Sequence, residues 1–198
     1  MKKKLLSAVM LCALGVVGCG EEDPVDPPAK PKLDSQANIL AFLDGKTLLM
    51  QGENIPSHPN GFSEDIDYGP YSQCYQKVTM TVGGGSFTVD SIPGTIENGQ
   101  CNHELAKNPL KFTSTAVLIE NVAADGSCFD VTFTFPGGLV QEGRGGFSAD
   151  QKSLNLELFF KDQATGSRCA NGAVGTAGTV TLGGKAFTGN AVQKYAIQ

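Results

Sequence analysis

The feature that most constrains this fold is a strict alternation of apolar and polar residues. Apolar side chains occupy every second position in residues 78–82, 129–135 and 154–160, with Phe159 as an apolar exception. Because a β-strand repeats every two residues, this pattern predicts antiparallel strands with one face buried and the other in water. Residues 116–119 are instead continuously apolar, which predicts a strand that is covered on both faces.

Glycine-rich segments separate the apolar runs. Residues 79–88 closely match residues 179–188, and each contains a Gly-Gly pair between two short alternating segments. Gly-Gly suits the positive φ angles of tight primed turns, so both segments predict β-hairpins. The Gly143-Arg144-Gly145-Gly146 run lacks the Lys-Ser/Thr of a phosphate loop and is also interpreted as a turn.

A short helix is predicted ahead of the strands. Asp34 or Ser35 can cap a helix that runs through Leu43, and Gly45 lies where a helix end favours positive φ. The alternation then changes to a period of two, which predicts a first strand over Thr47–Gln51.

These patterns together indicate an all-β fold of eight or nine antiparallel strands with one short N-terminal helix. A sheet of this size must curl or split in order to bury its apolar face. We expect a closed up-and-down barrel of the lipocalin-like kind, and a two-sheet β-sandwich is the alternative. The barrel rests on fold analogy alone, because the chain contains no tryptophan and so lacks the Gly-x-Trp usual in lipocalins.

The N-terminus has the organisation of an export signal. Three lysines at positions 2–4 precede an apolar stretch over residues 5–17, and Val16-Val17-Gly18-Cys19 follows. This order predicts a signal peptide over residues 1–18, which is too short to span a membrane. Residues 19–32 are rich in proline and acids and predict an extended tether. Residues 33–198 then form a single β domain.

The end of this leader resembles the lipobox of bacterial lipoproteins. The resemblance implies that Cys19 is diacylated (a palmitate-type anchor) and becomes the new N-terminus, so that the exported protein is attached to the cell envelope. Gly20 follows, where an aspartate is associated with retention in the inner membrane, so the outer membrane is expected. The C-terminal region also resembles that of uncharacterised exported lipoproteins, which implies no activity.

Four cysteines remain once Cys12 is removed with the leader and Cys19 is acylated. An even number in an exported chain indicates two disulfides, and four cysteines allow three pairings. We favour Cys74 with Cys101 and Cys128 with Cys169, because those pairs close successive segments. No pair has the close spacing of zinc ligands, so no metal site is expected.

Charge argues against a nucleic-acid partner. Without the leader the chain has 12 basic and 20 acidic residues, a net charge of −8. Phosphate backbones are repelled by such a surface. The membrane, through the lipid anchor, and either a protein or a small hydrophobic ligand are the expected partners.

Residues that could support catalysis are sparse. The chain has two histidines, His58 and His103, and both lie in polar, loop-like segments without a triad pattern. We therefore expect no enzyme and no cofactor, and a hydrolase ranks third among the functional hypotheses.

A polar segment of about twenty residues separates Gln51 from Cys74, and loops of that length often bind partners. Its aromatic and acidic residues could form a recognition patch or a lid over one barrel end: Phe62, Glu64, Asp65, Asp67, Tyr68 and Tyr71. The Asp65-Ile66-Asp67 pair is too sparse for an EF-hand.

The function expected from the sequence is that of a membrane-anchored envelope lipoprotein, which acts as a binding or structural surface domain. The alternative is a carrier that holds a small hydrophobic ligand inside a lipocalin-like barrel.

Overall fold

The computed structural model describes residues 29–56, 74–98, 100–187, 189 and 191–198. Within it, residues 31–198 form one unit. Several predicted features lie outside the described residues: the signal peptide, Cys19, most of the tether, His58, Phe62, Glu64, Asp65, Asp67, Tyr68 and Tyr71.

The predicted helix is present as α1, Gln36–Leu43. The Ser35 side chain caps it by accepting a hydrogen bond from the Asn38 backbone N–H at 3.3 Å. Gly45 has a φ of 73° just beyond the helix, as its position predicted. Ile39 and Leu43 are buried, so α1 contributes its apolar face to the core.

The predicted first strand has the expected bounds, and the other alternating runs are strands as well. The strands are β1 Thr47–Gln51, β2 Tyr75–Gly83, β3 Ser86–Pro93, β4 Thr95–Glu97, β5 Gln100–Asn102, β6 Leu110–Thr113, β7 Ala116–Glu120, β8 Phe129–Thr134, β9 Val140–Phe147, β10 Ser153–Phe160, β11 Ala164–Thr165, β12 Thr181–Leu182, β13 Lys185–Ala186 and β14 Val192–Ile197. Single 3₁₀ turns occupy Gly52–Asn54, Pro136–Gly138 and Cys169–Asn171.

Nine strands form one curled antiparallel sheet in the order β6-β3-β2-β1-β14-β10-β9-β8-β7. The expected all-β antiparallel architecture is confirmed, but the sheet is a half-barrel: β6 and β7 are its two edges and do not pair with each other. The expected closed barrel is therefore wrong, because the sheet does not close between β6 and β7. The alternative of a two-sheet β-sandwich is not found either, since these nine strands form one continuous sheet. Two small sheets, β4-β5 and β11-β12-β13, complete the fold.

The two edge strands are nevertheless consecutive in the chain, joined by Ser114 and Thr115. The N–H of Ser114 donates to the Phe87 carbonyl at 2.9 Å, and the N–H of Thr115 donates to the Thr134 carbonyl at 2.7 Å. Between these two residues the chain therefore changes partner from β3 to β8. A strand that bends between partners is a usual way to turn a corner in a β-structure.

The prediction that residues 116–119 are covered on both faces is wrong. They form the edge strand β7, in which Ile119 is buried but Leu118 is 47% exposed. None of the described residues covers its outer face, which explains the exposure of Leu118. At the free edge, the backbone N–H of Ile119 donates to Gln36 Oε1 at 2.6 Å, so the start of α1 protects part of this edge.

The larger core fills the inside of the half-barrel. Alternate residues of the sheet pack there against α1, with aromatic contacts such as Phe87 to Phe133, whose ring centroids are 5.2 Å apart. A second, smaller core lies on the opposite face of β10 and comprises Phe159, Val180, Leu182, Phe187 and Ala191. Phe159 breaks the alternation because residues 161–187, 189 and 191, which we call the outer layer, cover that face.

Both Gly-Gly hairpins are present. Gly84 and Gly85 have φ values of 57° and 76° between β2 and β3, and Gly183 and Gly184 have φ values of 53° and 78° between β12 and β13. The Gly143–Gly146 run, in contrast, is not a turn but part of β9. A Cβ at Gly143 would collide with the Glu157 carbonyl oxygen. These glycines therefore allow close packing rather than chain reversal.

Candidate functional site

Two disulfides brace the domain, and they join the pairs favoured from the sequence. Cys74 at the start of β2 bonds to Cys101 in β5, and Cys128 just before β8 bonds to Cys169 in the outer layer. The Cα atoms lie 5.4 and 5.9 Å apart, respectively, which is ordinary disulfide geometry.

The inside of the half-barrel was the expected ligand site of a carrier. It retains a cavity of about 40 Å³, which has room for about one water molecule. Its apolar lining is Val78, Met80, Phe87, Val89, Phe112, Phe133, Phe135, Leu156 and Leu158. The side chains of the sheet therefore fill nearly all of the interior themselves.

Polar groups also line this cavity, and three of them take part in hydrogen bonds. The Tyr195 hydroxyl donates to Gln193 Oε1 at 2.7 Å, and Ser91 Oγ donates to the Leu110 carbonyl at 3.4 Å. Burial, and secondarily the charge on an ionised Tyr75, raises the pKa of Tyr195 well above its usual value. Burial likewise raises the pKa of Tyr75. Both phenols are therefore neutral hydrogen-bonding groups, unsuited to act as bases near neutral pH.

His103, one of the two histidines considered for catalysis, is exposed beside the Cys74–Cys101 disulfide. Its Nδ1 lies 2.6 Å from the Tyr75 carbonyl oxygen and 3.4 Å from Cys101 Sγ. Since a carbonyl oxygen can only accept, Nδ1 donates, and the ring connects the first residue of β2 to the residue that follows β5. No group of three or more metal-ligating side chains occurs among the described residues.

A buried ion pair, which no sequence pattern indicated, lies beneath the outer layer. Arg144 in β9 and Glu157 in β10 are direct partners across the sheet, with Nε to Oε2 at 2.6 Å and side-chain exposures of 0% and 5%. Arg144 also donates to the Gly172 carbonyl at 2.7 Å and to Thr179 Oγ1 at 2.9 Å. Glu157 Oε2 accepts from the Gly175 N–H at 3.2 Å. The pair thus fastens the outer layer to the sheet.

A polar groove of about 290 Å³ lies on the outer face of β2, β3 and β6. Its floor contains threonines, and the register places Thr47, Thr81, Thr88 and Thr113 side by side on neighbouring strands. The groove is lined by Lys77, Thr79, Thr81, Thr88, Asp90, Ile92 and Lys111. We call this surface the lysine–threonine groove; alternation predicted only that these residues face water.

Comparison with known proteins yields no match to a family model, to a curated protein or to a solved structure. Among the helices that the structure describes, none has the length and apolarity needed to cross a membrane. The fold and these sites therefore define the chain as a disulfide-braced, antiparallel half-barrel domain, and its function has to be inferred from its own residues.

Proposed function

We propose that this chain is a lipid-anchored domain of the bacterial cell envelope that binds a partner through its outer surface. The lipobox-like leader with Cys19 and the tether supports the anchor, and Gly20 favours the outer membrane. The two disulfides suit an oxidising, exported environment. The observation that carries a surface role is the nearly filled interior, whose cavity measures about 40 Å³.

The lysine–threonine groove is the surface that best fits this role. Lys77 and Lys111 are exposed in a chain with 20 acidic residues, and their ammonium groups share the groove with a single carboxylate, Asp90. Threonine hydroxyls between them can both donate and accept hydrogen bonds. Charge complementarity therefore favours a protein partner with an acidic contact surface.

The anchor is tested by metabolic labelling with a fatty-acid probe. Wild-type protein should incorporate the probe and fractionate with the outer membrane, and Cys19→Ala should lose both properties. Labelling that is undiminished in the Cys19→Ala variant would refute the anchor.

The groove is tested by proximity labelling from the anchored protein. The charge-reversal variant Lys77→Glu/Lys111→Glu should lose most labelling of the specific partner, because two attractive charges become repulsive. The matched control is Lys152→Glu/Lys161→Glu, which reverses two exposed lysines outside the groove. Equal loss in both variants would indicate only a net-charge effect and would refute the groove.

A carrier of a small hydrophobic ligand in a lipocalin-like interior is the second candidate. The aromatic lining of the interior favours it, but the ligand would have to displace packed side chains such as Phe112 and Phe135, whose ring centroids are 5.0 Å apart. Native mass spectrometry of the purified protein after incubation with a lipid extract tests this candidate. Stoichiometric uptake of a lipid would favour the carrier over the surface role.

A further inference from the structure

The strand β6 is an edge of the nine-stranded sheet, and half of its backbone groups point away from the sheet. Among the strands that the structure describes, only β3 pairs with it. The N–H of Ser114 donates to the Phe87 carbonyl, so the register places Ser114 and Phe112 at the hydrogen-bonded positions. The N–H and C=O groups of Lys111 and Thr113, which alternate with them, therefore point to the open side. Such an edge is the binding site in β-strand addition.

The two faces of β6 offer different chemistry to an added strand. Leu110 and Phe112 lie on the inner face, where Leu110 is 50% exposed and Phe112 is half-buried. Lys111 and Thr113 are exposed on the outer face, and Lys111 lines the lysine–threonine groove. Because successive side chains of a strand point to opposite faces, an added strand would place alternate side chains beside apolar and beside basic neighbours.

We propose that β6 accepts, as an added strand, an extended segment of the protein partner in which acidic and apolar residues alternate. The acidic side chains lie beside Lys111, on the same face as Lys77, and the apolar ones cover Leu110. A second copy of this chain fits less well, because antiparallel pairing of two β6 strands would bring two Lys111 ammonium groups close together. A short edge that carries a lysine resists indiscriminate pairing, so the contact selects acidic segments.

This inference rests on the proposed function and adds that backbone hydrogen bonds at β6 hold the partner. Thr113→Pro separates the two proposals, because it removes an N–H that points away from β3 and changes no charge; proline is tolerated in edge strands. In the proximity-labelling experiment it should lose most labelling of the partner, as Lys77→Glu/Lys111→Glu does. Labelling that survives Thr113→Pro but not the charge reversal would refute strand addition and leave the groove proposal standing.

The direct test is NMR spectroscopy of the full-length protein in detergent micelles with a short synthetic peptide of alternating glutamate and valine. At saturation, the amides of Lys111 and Thr113 should exchange with solvent at least about tenfold more slowly, because they gain acceptors. The Phe112 amide, which already faces β3, should not change. Binding that leaves the first two amides unprotected would overturn the proposal, and so would protection without peptide that is lost on dilution, which would assign the edge to a second copy.

Two control peptides separate strand addition from adsorption. A lysine–valine peptide should not bind, because its charges repel those of Lys111 and Lys77. A glutamate–valine peptide methylated at the glutamate nitrogens should bind about tenfold more weakly, since glutamates opposite Lys111 pair through those N–H groups. Equal binding of either control peptide would overturn the proposal.

Four variants locate the binding. Lys111→Glu should weaken binding of the glutamate–valine peptide about tenfold, and Lys194→Glu, which reverses an exposed lysine of β14, is the matched control. Thr113→Pro should abolish protection of the Lys111 amide, whereas Thr113→Ala keeps the backbone N–H and should bind normally. Thermal unfolding checks that each variant is folded. Undiminished binding by a folded Thr113→Pro variant would place the peptide elsewhere and refute the β6 edge.

Discussion

At the scale of single residues, the most consequential contact is the buried ion pair of Arg144 and Glu157. The desolvation of two buried charges is expensive, and removal of one partner leaves the other uncompensated. The outer layer adds three hydrogen bonds to the same pair: the Gly172 carbonyl and Thr179 Oγ1 accept from Arg144, and the Gly175 N–H donates to Glu157. Replacing either charge therefore affects both the sheet and the layer that covers it.

We expect Arg144→Met to lower the free energy of unfolding by about 3–5 kcal/mol. The double variant Arg144→Met/Glu157→Met should be less destabilised than the single variant, because it leaves no unpaired charge. Arg168→Met provides the matched control: its pair with Glu142, at 2.8 Å, has side-chain exposures of 35% and 22%, and its loss should cost about 0–1 kcal/mol. Urea unfolding measures the free energy of unfolding of all three variants. Equal costs for the two single arginine variants would contradict this account.

Tyr195 makes stability depend on alkaline pH. Its pKa is raised in the folded protein, first by burial and then by Tyr75, so above about pH 10 the unfolded chain releases a proton that the folded chain retains. The folded state then binds more protons, and stability falls as pH rises, by up to about 1.4 kcal/mol per pH unit for this group. Denaturant unfolding between about pH 8 and 11 should show this decline.

Tyr195→Phe tests the assignment. It should lower stability near neutral pH by about 1 kcal/mol through loss of the hydrogen bond to Gln193. Above about pH 10 the free energy of unfolding of this variant should fall less steeply with pH than that of the wild type. An unchanged alkaline slope would show that another group controls the decline.

At the scale of elements, β9 shows where sequence patterns mislead. The helix α1, the strand β1 and both Gly-Gly hairpins could be predicted, because capping, alternation and turn residues are local signals. The glycines of β9 give the same local signal as a turn, yet their reason is tertiary. A Cβ at Gly145 would lie 2.5 Å from the Phe129 ring, and one at Gly143 would collide with the β10 backbone. Only the packed neighbours reveal this requirement.

Gly143→Ala should therefore destabilise the protein by about 1–3 kcal/mol, since a backbone carbonyl cannot move aside without disturbing the sheet. Gly83→Ala is a suitable comparison, because Gly83 also lies in a strand and has open space around its Cβ position. That change should alter stability by less than about 1 kcal/mol. Thermal unfolding of the two variants measures the difference. A tolerated Gly143→Ala would mean that β9 and β10 are less closely packed than the structure indicates.

At the scale of the whole molecule, the sequence predicted which strands and helix the fold contains better than whether the sheet closes into a barrel. Alternation defines which side chains point inward, but it does not say whether the edges β6 and β7 meet. The outer layer was also missed, because the strands among its described residues are very short: β11, β12 and β13 have two residues each. The apolar exception at Phe159 was the one signal that could have shown a second core.

The last prediction concerns the removal of each of the two disulfides. Cys128–Cys169 spans 41 residues and attaches the outer layer, whereas Cys74–Cys101 spans 27 residues and attaches the small β4-β5 sheet. Each should contribute about 2–4 kcal/mol, so loss of either should lower Tm by about 4–16 °C. The chain-entropy difference between the two loops is less than about 0.5 kcal/mol, so each double-serine variant is a control for the other.

Limited proteolysis followed by mass spectrometry distinguishes the two variants by location. Cys128→Ser/Cys169→Ser should make the outer layer the first part to be cleaved, because the layer then loses its disulfide bond to the start of β8. Cys74→Ser/Cys101→Ser should instead expose the segment around β4 and β5 and leave the outer layer protected. If both variants are first cleaved at the same sites, the outer layer does not open as a separate unit, and the Cys128–Cys169 disulfide would not be what keeps it attached to the sheet.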